Sequence, residues 1–110
     1  ESARPLITLD GPVEVHLGDV PDHPQLRPAL RFAIALSPRV RTEISEIHGS
    51  EVGILAYTQD GITVQLGRDE EMEEKGRILE RLLEEVANRS MAVSQIDLRH
   101  PTSPVLREKR

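Results

Sequence analysis

The side chains in this sequence best able to bind a metal or move a proton are its histidines and a block of carboxylates. The histidines lie in four separate segments, at His16, His23, His48 and His100. They lack the close spacing on one element that histidine metal ligands require. The acidic run over residues 69–74 lacks the spaced oxygens of a calcium loop. Without cysteine, thiol catalysis and structural zinc clusters are excluded. We therefore expect no metal and no cofactor.

Nucleophilic catalysis and phosphate binding are also disfavoured. No serine stands in a nucleophile-elbow context. Gly67 leads into a predicted helix, but the acidic start of that helix would repel a phosphate group. The aromatic content of 2% excludes a stacking platform for single-stranded nucleic acid, and the net charge of −5 argues against binding a phosphate backbone. The residue patterns thus give no nucleophile together with its base.

The C-terminal stretch is the most informative region for function. Val105 and Leu106 follow two prolines and precede a charged tail, which predicts a short last strand. A strand at the border of a sheet leaves N–H and C=O groups unpaired, and a second polypeptide can form hydrogen bonds with them. A frayed tail is the alternative. Asp97 and Arg99 share one face of the preceding predicted strand, either as a surface pair or as a polar feature beside a docking edge.

The elements that must position this edge follow from hydrophobic periodicity and from turn residues. Helices are predicted over residues 28–36 and 69–88, and strands over residues 6–9, 13–17, 40–47, 52–57, 62–66, 94–99 and 105–106. The pair Asp60-Gly61 predicts a type I′ hairpin turn. The i,i+4 spacing predicts ion pairs Glu71–Lys75, Glu73–Arg77 and Glu85–Arg89. The order of elements predicts an α+β fold, with a mainly antiparallel β-sheet and two helices packed on one face.

Three motifs in this order resemble one known family. Residues 57–67 contain the pattern DG-x-x-V-x-L-G, Glu74-Lys75 follows, and residues 96–99 read IDLR. This combination resembles the C-terminal β domain of the bacterial cell-division proteins FtsQ and DivIB, over most of residues 28–107. Residues 4–8 are similar to the family's junction into that domain. Gly76, where a larger apolar residue is usual, and His100, where an aromatic residue is frequent, depart from the pattern.

The resemblance implies a non-enzymatic assembly module of the divisome that acts during septum formation. It implies a domain on the extracytoplasmic side of the cell membrane, anchored through an N-terminal transmembrane helix and following a POTRA domain. The implied partners are small single-pass coiled-coil proteins, FtsB or DivIC and FtsL. The implied docking positions are Arg99, His100, Thr102, Val105, Leu106 and Arg107. We expect the substitution Val105→Pro to weaken partner binding while the fold survives.

The many prolines and glycines of residues 1–27 predict an extended N-terminal segment with short strands. Residues 28–107 then form the FtsQ/DivIB-like β domain, and residues 108–110 a basic tail. The main alternative function is a small-molecule-binding regulatory α+β domain. That alternative would need polar groups facing inward, whereas the predicted inward positions are apolar: Val64, Leu66, Leu79, Leu83, Ile96 and Leu98. A hydrolytic enzyme is a third, weaker alternative.

Overall fold

The computed structural model describes residues 6–9, 14–16, 26–50 and 53–109. The strands are β1 (Leu6–Leu9), β2 (Glu14–His16), β3 (Ile44–Ser50), β4 (Gly53–Thr58), β5 (Thr63–Gly67), β6 (Val93–Asp97) and β7 (Val105–Glu108). The helices are α1 (Leu26–Ala35), α2 (Pro38–Arg41) and α3 (Met72–Asn88). None of these helices has both the length and the apolar character of a membrane-spanning segment. His23 and the flanks of the predicted strand 13–17 lie outside the described residues.

The strands form one sheet in the order β2-β1-β3-β4-β5-β6-β7. β1 pairs with β3, and β5 with β6, in parallel, and the other neighbours in the sheet are antiparallel. Parallel neighbours need a crossover connection, and α3 provides it between β5 and β6. The predicted α+β fold is therefore confirmed, with a mixed sheet. β1 lies within this sheet, and the division of the chain at residue 27 stays a prediction.

Alternation along the strands gives the sheet two different faces. One row of paired residues crosses the face that packs on the helices, here called the helix face: Ile7, Ile47, Ala56, Val64, Ile96 and Leu106. All but the last are fully buried. The next row crosses the opposite face, here called the polar face: Leu6, Glu46, Tyr57, Thr63, Gln95 and Arg107. Its members are half-buried or exposed.

The connection from α1 to β3 differs from the prediction. Ser37 and Pro38 end the first helix as expected, but they also start α2, where a strand was predicted from Val40 onwards. The hydroxyl of Ser37 accepts a hydrogen bond from the N–H of Val40 at 3.3 Å, and Pro38 suits the first turn because its missing N–H would be unpaired there. β3 therefore begins at Ile44.

The long helix begins later than its acidic run suggested. α3 starts at Met72, and the residue before it, Glu71, has a left-handed backbone and no side-chain cap. The predicted pair Glu85–Arg89 is present with a separation of 3.3 Å. The other two predicted pairs are wrong. Arg77 bonds to Glu74 at 2.9 Å, and Lys75 is buried.

The hairpin turn between β4 and β5 is wider than predicted. The N–H of Gly61 donates to the carbonyl of Thr58 at 3.1 Å, and the N–H of Thr58 donates to the carbonyl of Ile62 at 3.0 Å. Gly61 has a φ of 89°, whereas Asp60 does not have a positive φ. A type I′ turn needs positive φ at both central residues, so this loop is a three-residue turn that ends on a left-handed glycine.

Candidate docking edge

β7 forms one border of the sheet. It is hydrogen-bonded to β6 alone among the described strands. The antiparallel register pairs Val105 with Asp97 and Arg107 with Gln95. The register shifts beside Ser94, whose hydroxyl donates to the carbonyl of Arg107 at 3.3 Å. The predicted terminal strand is therefore present, and it extends to Glu108.

Hydrogen bonds on both sides of β6 determine which way the β6 residues point. The N–H of Leu98 donates to the carbonyl of Gln65 at 2.8 Å, so the main-chain groups of Leu98 point towards β5. Main-chain groups alternate in direction along a strand, so the N–H and C=O groups of Asp97 and Gln95 point towards β7. They form the hydrogen-bonded pairs with Val105 and Arg107.

The same alternation identifies the groups that β7 leaves open. The N–H of Lys109 donates to the carbonyl of Ala92 at 2.8 Å. This bond agrees with main-chain groups of Val105 and Arg107 that point towards β6. The N–H and C=O groups of Leu106 and Glu108 therefore point away from β6. Because Val105 bonds to β6, proline at this position would break the sheet itself. The substitution Val105→Pro is thus a poor probe of the edge.

The predicted docking side chains on β7 are divided between the two faces of the sheet. Leu106 lies on the helix face beside Ile96 and packs against the core. Val105, which is 47% exposed, and Arg107 lie on the polar face. No described residue forms a hydrogen bond or an ion pair with the guanidinium of Arg107. Arg107 is thus a cation of this edge that is open to a partner.

Arg99, in contrast, is already held by its neighbour. Its Nη2 lies 2.7 Å from Oδ2 of Asp97 and its Nε lies 3.0 Å from Oδ1. The main-chain N–H of Arg99 also donates to Oδ1 at 3.0 Å. The hydrogen bond from Arg99 lowers the pKa of Asp97, against a smaller opposing effect of burial, and the same hydrogen bond raises the pKa of Arg99. Asp97 and Arg99, which were predicted to share one face of the strand, thus form an ion pair.

The loop from β6 to β7 contains a turn that carries the remaining predicted residues. The N–H of Ser103 donates to the carbonyl of His100 at 2.9 Å, with Pro101 at the second turn position that proline favours. His100 and Thr102 are both exposed. The loop ends at Pro104, which shares the outward direction of Leu106 but has no N–H to offer.

Lys75 is a supporting residue that sequence reasoning missed. It is 2% exposed, and its Nζ donates to the carbonyls of Leu66 at 2.6 Å and Arg68 at 3.2 Å. Burial lowers the pKa of Lys75, although nearby carboxylates oppose the shift. Its position four residues before Leu79, on the buried stripe of α3, is the signal that could have identified it.

These features define an α+β domain with a mixed sheet and a short antiparallel strand at its C-terminal border. The sequence model of the family described as "Cell division protein FtsQ/DivIB, C-terminal" matches residues 5–99. The chain therefore belongs to the FtsQ/DivIB C-terminal family, as its motifs indicated, and has a role in cell division. Membership implies a membrane-associated location at the division site and suggests protein partners. No curated protein matches the chain. The matched range ends before β7.

Proposed function

We propose that this chain is a non-enzymatic assembly module of the division machinery. It docks FtsB/DivIC-like and FtsL-like single-pass proteins on the extracytoplasmic side of the membrane, as an added strand on β7. The outward main-chain groups of Leu106 and Glu108 are the observation that carries the proposal. These N–H and C=O groups lie on the free side of β7, a strand with one described neighbour, where an added strand could bond to them.

The edge favours a particular kind of partner segment. An extended segment beside β7 would place alternate side chains on the two faces of the sheet. On the polar face these side chains would lie near Val105 and Arg107, so an acidic residue there meets the guanidinium of Arg107. Arg99 contributes less charge recognition than the sequence suggested, because Asp97 already binds it.

The short length of the edge limits what main-chain bonding can contribute. Leu106 and Glu108 offer two N–H and two C=O groups, and each hydrogen bond contributes on the order of 1 kcal/mol net. The missing N–H of Pro104 and the charged residues after Leu106 are also devices by which proteins keep a border strand from pairing. We therefore propose that contacts of His100 and Thr102 add to the main-chain bonds.

A small-molecule regulatory domain is less well supported. Val64, Leu66, Ile96 and Leu98 are fully buried and apolar, and the buried amine of Lys75 beside them is already hydrogen-bonded to main-chain carbonyls. A groove of about 540 Å³ lies open at the surface between α3 and the 101–104 loop, and three of its eight lining residues are charged. This setting is less suited to a small ligand than an enclosed apolar pocket.

Proline at an outward position tests the added-strand proposal. The substitution Glu108→Pro removes an outward N–H, while Val105 and Arg107 keep their bonds to β6. Glu108→Ala removes the same exposed side chain but keeps the N–H. We expect calorimetric titration with the extracytoplasmic segment of an FtsB/DivIC-like partner to show binding at least about tenfold weaker for the proline variant than for the alanine variant.

Thermal unfolding of both Glu108 variants verifies that the sheet is intact. Equal affinity of the proline and alanine variants would rule out an added strand at β7. A further arm compares Arg107→Glu with Glu108→Ala in low and moderate salt. We expect the charge reversal to weaken binding mainly in low salt, because exposed charges are screened as ionic strength rises. A loss that salt does not change would contradict the recognition by charge.

A further inference from the structure

The turn after β5 lies directly against the start of the β6–β7 loop. Gly67, the last residue of β5, has a φ of 71°, in the left-handed region that favours glycine. A Cβ built at Gly67 would lie 2.9 Å from Cγ and 3.4 Å from Cβ of Arg99. The aliphatic stem of Arg99 therefore occupies the space that a side chain at position 67 would need.

Arg99 is held in this place from several directions. The carboxylate of Asp97 binds both its guanidinium and its main-chain N–H. The neighbouring residue, Leu98, is fixed by its hydrogen bond to Gln65. The backbone thus leaves β6 with Arg99 confined between Asp97 and the bare Cα of Gly67.

The position of Gly67 is itself fixed by a buried lysine. The Nζ of Lys75 donates to the carbonyls of Leu66 and Arg68, the residues on either side of Gly67. Lys75 is almost fully buried on α3, so these hydrogen bonds connect the turn to the helix layer. Gly67 is therefore a rigid support on which the stem of Arg99 rests.

We propose that Gly67 is a positioning residue for the β7 edge. Its missing side chain allows Arg99 to rest on the backbone, and this contact sets the direction in which residues 99–104 leave β6. The direction of that loop in turn places β7. The consequence for partner binding rests on the proposed docking function, whereas the consequence for the hairpin does not.

Two glycines with similar backbones allow a matched test. Gly61 has a φ of 89°, and no described residue other than its chain neighbours lies within 4 Å of a Cβ built there. Gly67→Ala and Gly61→Ala therefore introduce the same backbone strain, but only the first displaces Arg99. The measurement is the rate of native-state hydrogen exchange in the 110-residue chain at the amides of Arg99 and Lys109. The exchange rate of the Arg41 amide, outside the hairpin, is the reference.

We expect Gly67→Ala to speed exchange at Arg99 and Lys109 at least about tenfold more than Gly61→Ala does. In an Arg99→Ala background the Cγ contact is gone, and the two glycine substitutions should then have equal effects. Equal effects in the wild-type background, or an undiminished difference without the Arg99 side chain, would overturn the proposal. The double variant also covers the case in which Gly67→Ala alone does not fold.

Titration with the FtsB/DivIC-like segment tests the consequence for binding. We expect Gly67→Ala to weaken binding at least about tenfold and Gly61→Ala to leave the affinity unchanged. Equal affinities would overturn the link between Gly67 and docking. If the wild-type chain does not bind the segment, the docking function fails, while the exchange measurement still decides whether Gly67 positions the hairpin.

Discussion

The two faces of the β6–β7 hairpin differ in what each residue contributes. On the helix face, Ile96 is fully buried and Leu106 extends the same apolar row to the border of the sheet. On the polar face, the neighbouring positions carry Gln95, Arg107 and the Asp97–Arg99 pair. One face thus holds the hairpin in the domain, and the other presents its polar chemistry to solvent.

This contrast separates stability from recognition within a few residues. Burial of an aliphatic side chain contributes about 1.5–3 kcal/mol, whereas an exposed ion pair contributes about 0–1 kcal/mol. The edge at β7 joins the two, because Leu106 anchors the strand while its main chain points outward. We therefore expect substitutions on the two faces to differ strongly in how far they lower the free energy of unfolding. We expect a smaller difference in how far they weaken partner binding.

The largest expected effect is at the centre of the helix face. Ile96→Ala removes a fully buried side chain beside Val64 and Leu106 and leaves a cavity. We expect the free energy of unfolding to fall by about 2–5 kcal/mol. Gln95→Ala, one residue away on the polar face, should change it by no more than about 0.5 kcal/mol. Urea unfolding measures both, and similar losses would contradict the division between the faces.

The sequence predicted the strands of the hairpin better than their neighbours in the sheet. Alternation placed Ile96 and Leu98 opposite Asp97 and Arg99 because side-chain direction is a local property of a strand. The parallel pairing of β5 with β6 was not predicted, because it depends on how α3 returns the chain. The outward direction of Glu108 also requires this register, which no local pattern encodes.

Local patterns were misleading where a tertiary contact overrides them. Glu71 and Lys75 have the spacing of a helical ion pair, but the carbonyls of Leu66 and Arg68 bind Lys75 instead. The Ser37-Pro38 pair signals both the end of one helix and the start of another, and the sequence reading used only the first meaning. At the candidate site, the docking positions stay a prediction, and the contact between Gly67 and Arg99 was not predicted.

A smaller effect is expected where the helix layer itself is tightly packed. A Cβ at Gly76 would lie 2.8 Å from Cβ of Ala35 and 3.3 Å from the carbonyl oxygen of Phe32. This close approach of α1 and α3 leaves no room for a side chain at position 76. Overpacking costs about 1–3 kcal/mol, against about 1 kcal/mol gained from helix propensity. We expect Gly76→Ala to destabilise the chain by about 1 kcal/mol.

A double-mutant cycle with Ala35→Gly identifies the cause of the loss at Gly76. Removal of the facing methyl group should recover part of the stability that Gly76→Ala loses, because the 2.8 Å contact disappears. Thermal unfolding of the two single variants and the double variant gives the coupling. Strictly additive losses would show that the contact between α1 and α3 is not what excludes a side chain at position 76.

The smallest expected effect lies on the polar face and depends on pH. The pKa of Asp97 is lowered by its hydrogen bond from Arg99, so the carboxylate stabilises the fold above its unfolded pKa of about 3.9. That contribution is lost as pH falls through the lower pKa of the folded state. We expect the free energy of unfolding of the wild type to exceed that of Asp97→Asn by up to about 1 kcal/mol at pH 6. The difference should shrink below pH 4, and a difference independent of pH would contradict a role for the charge of Asp97.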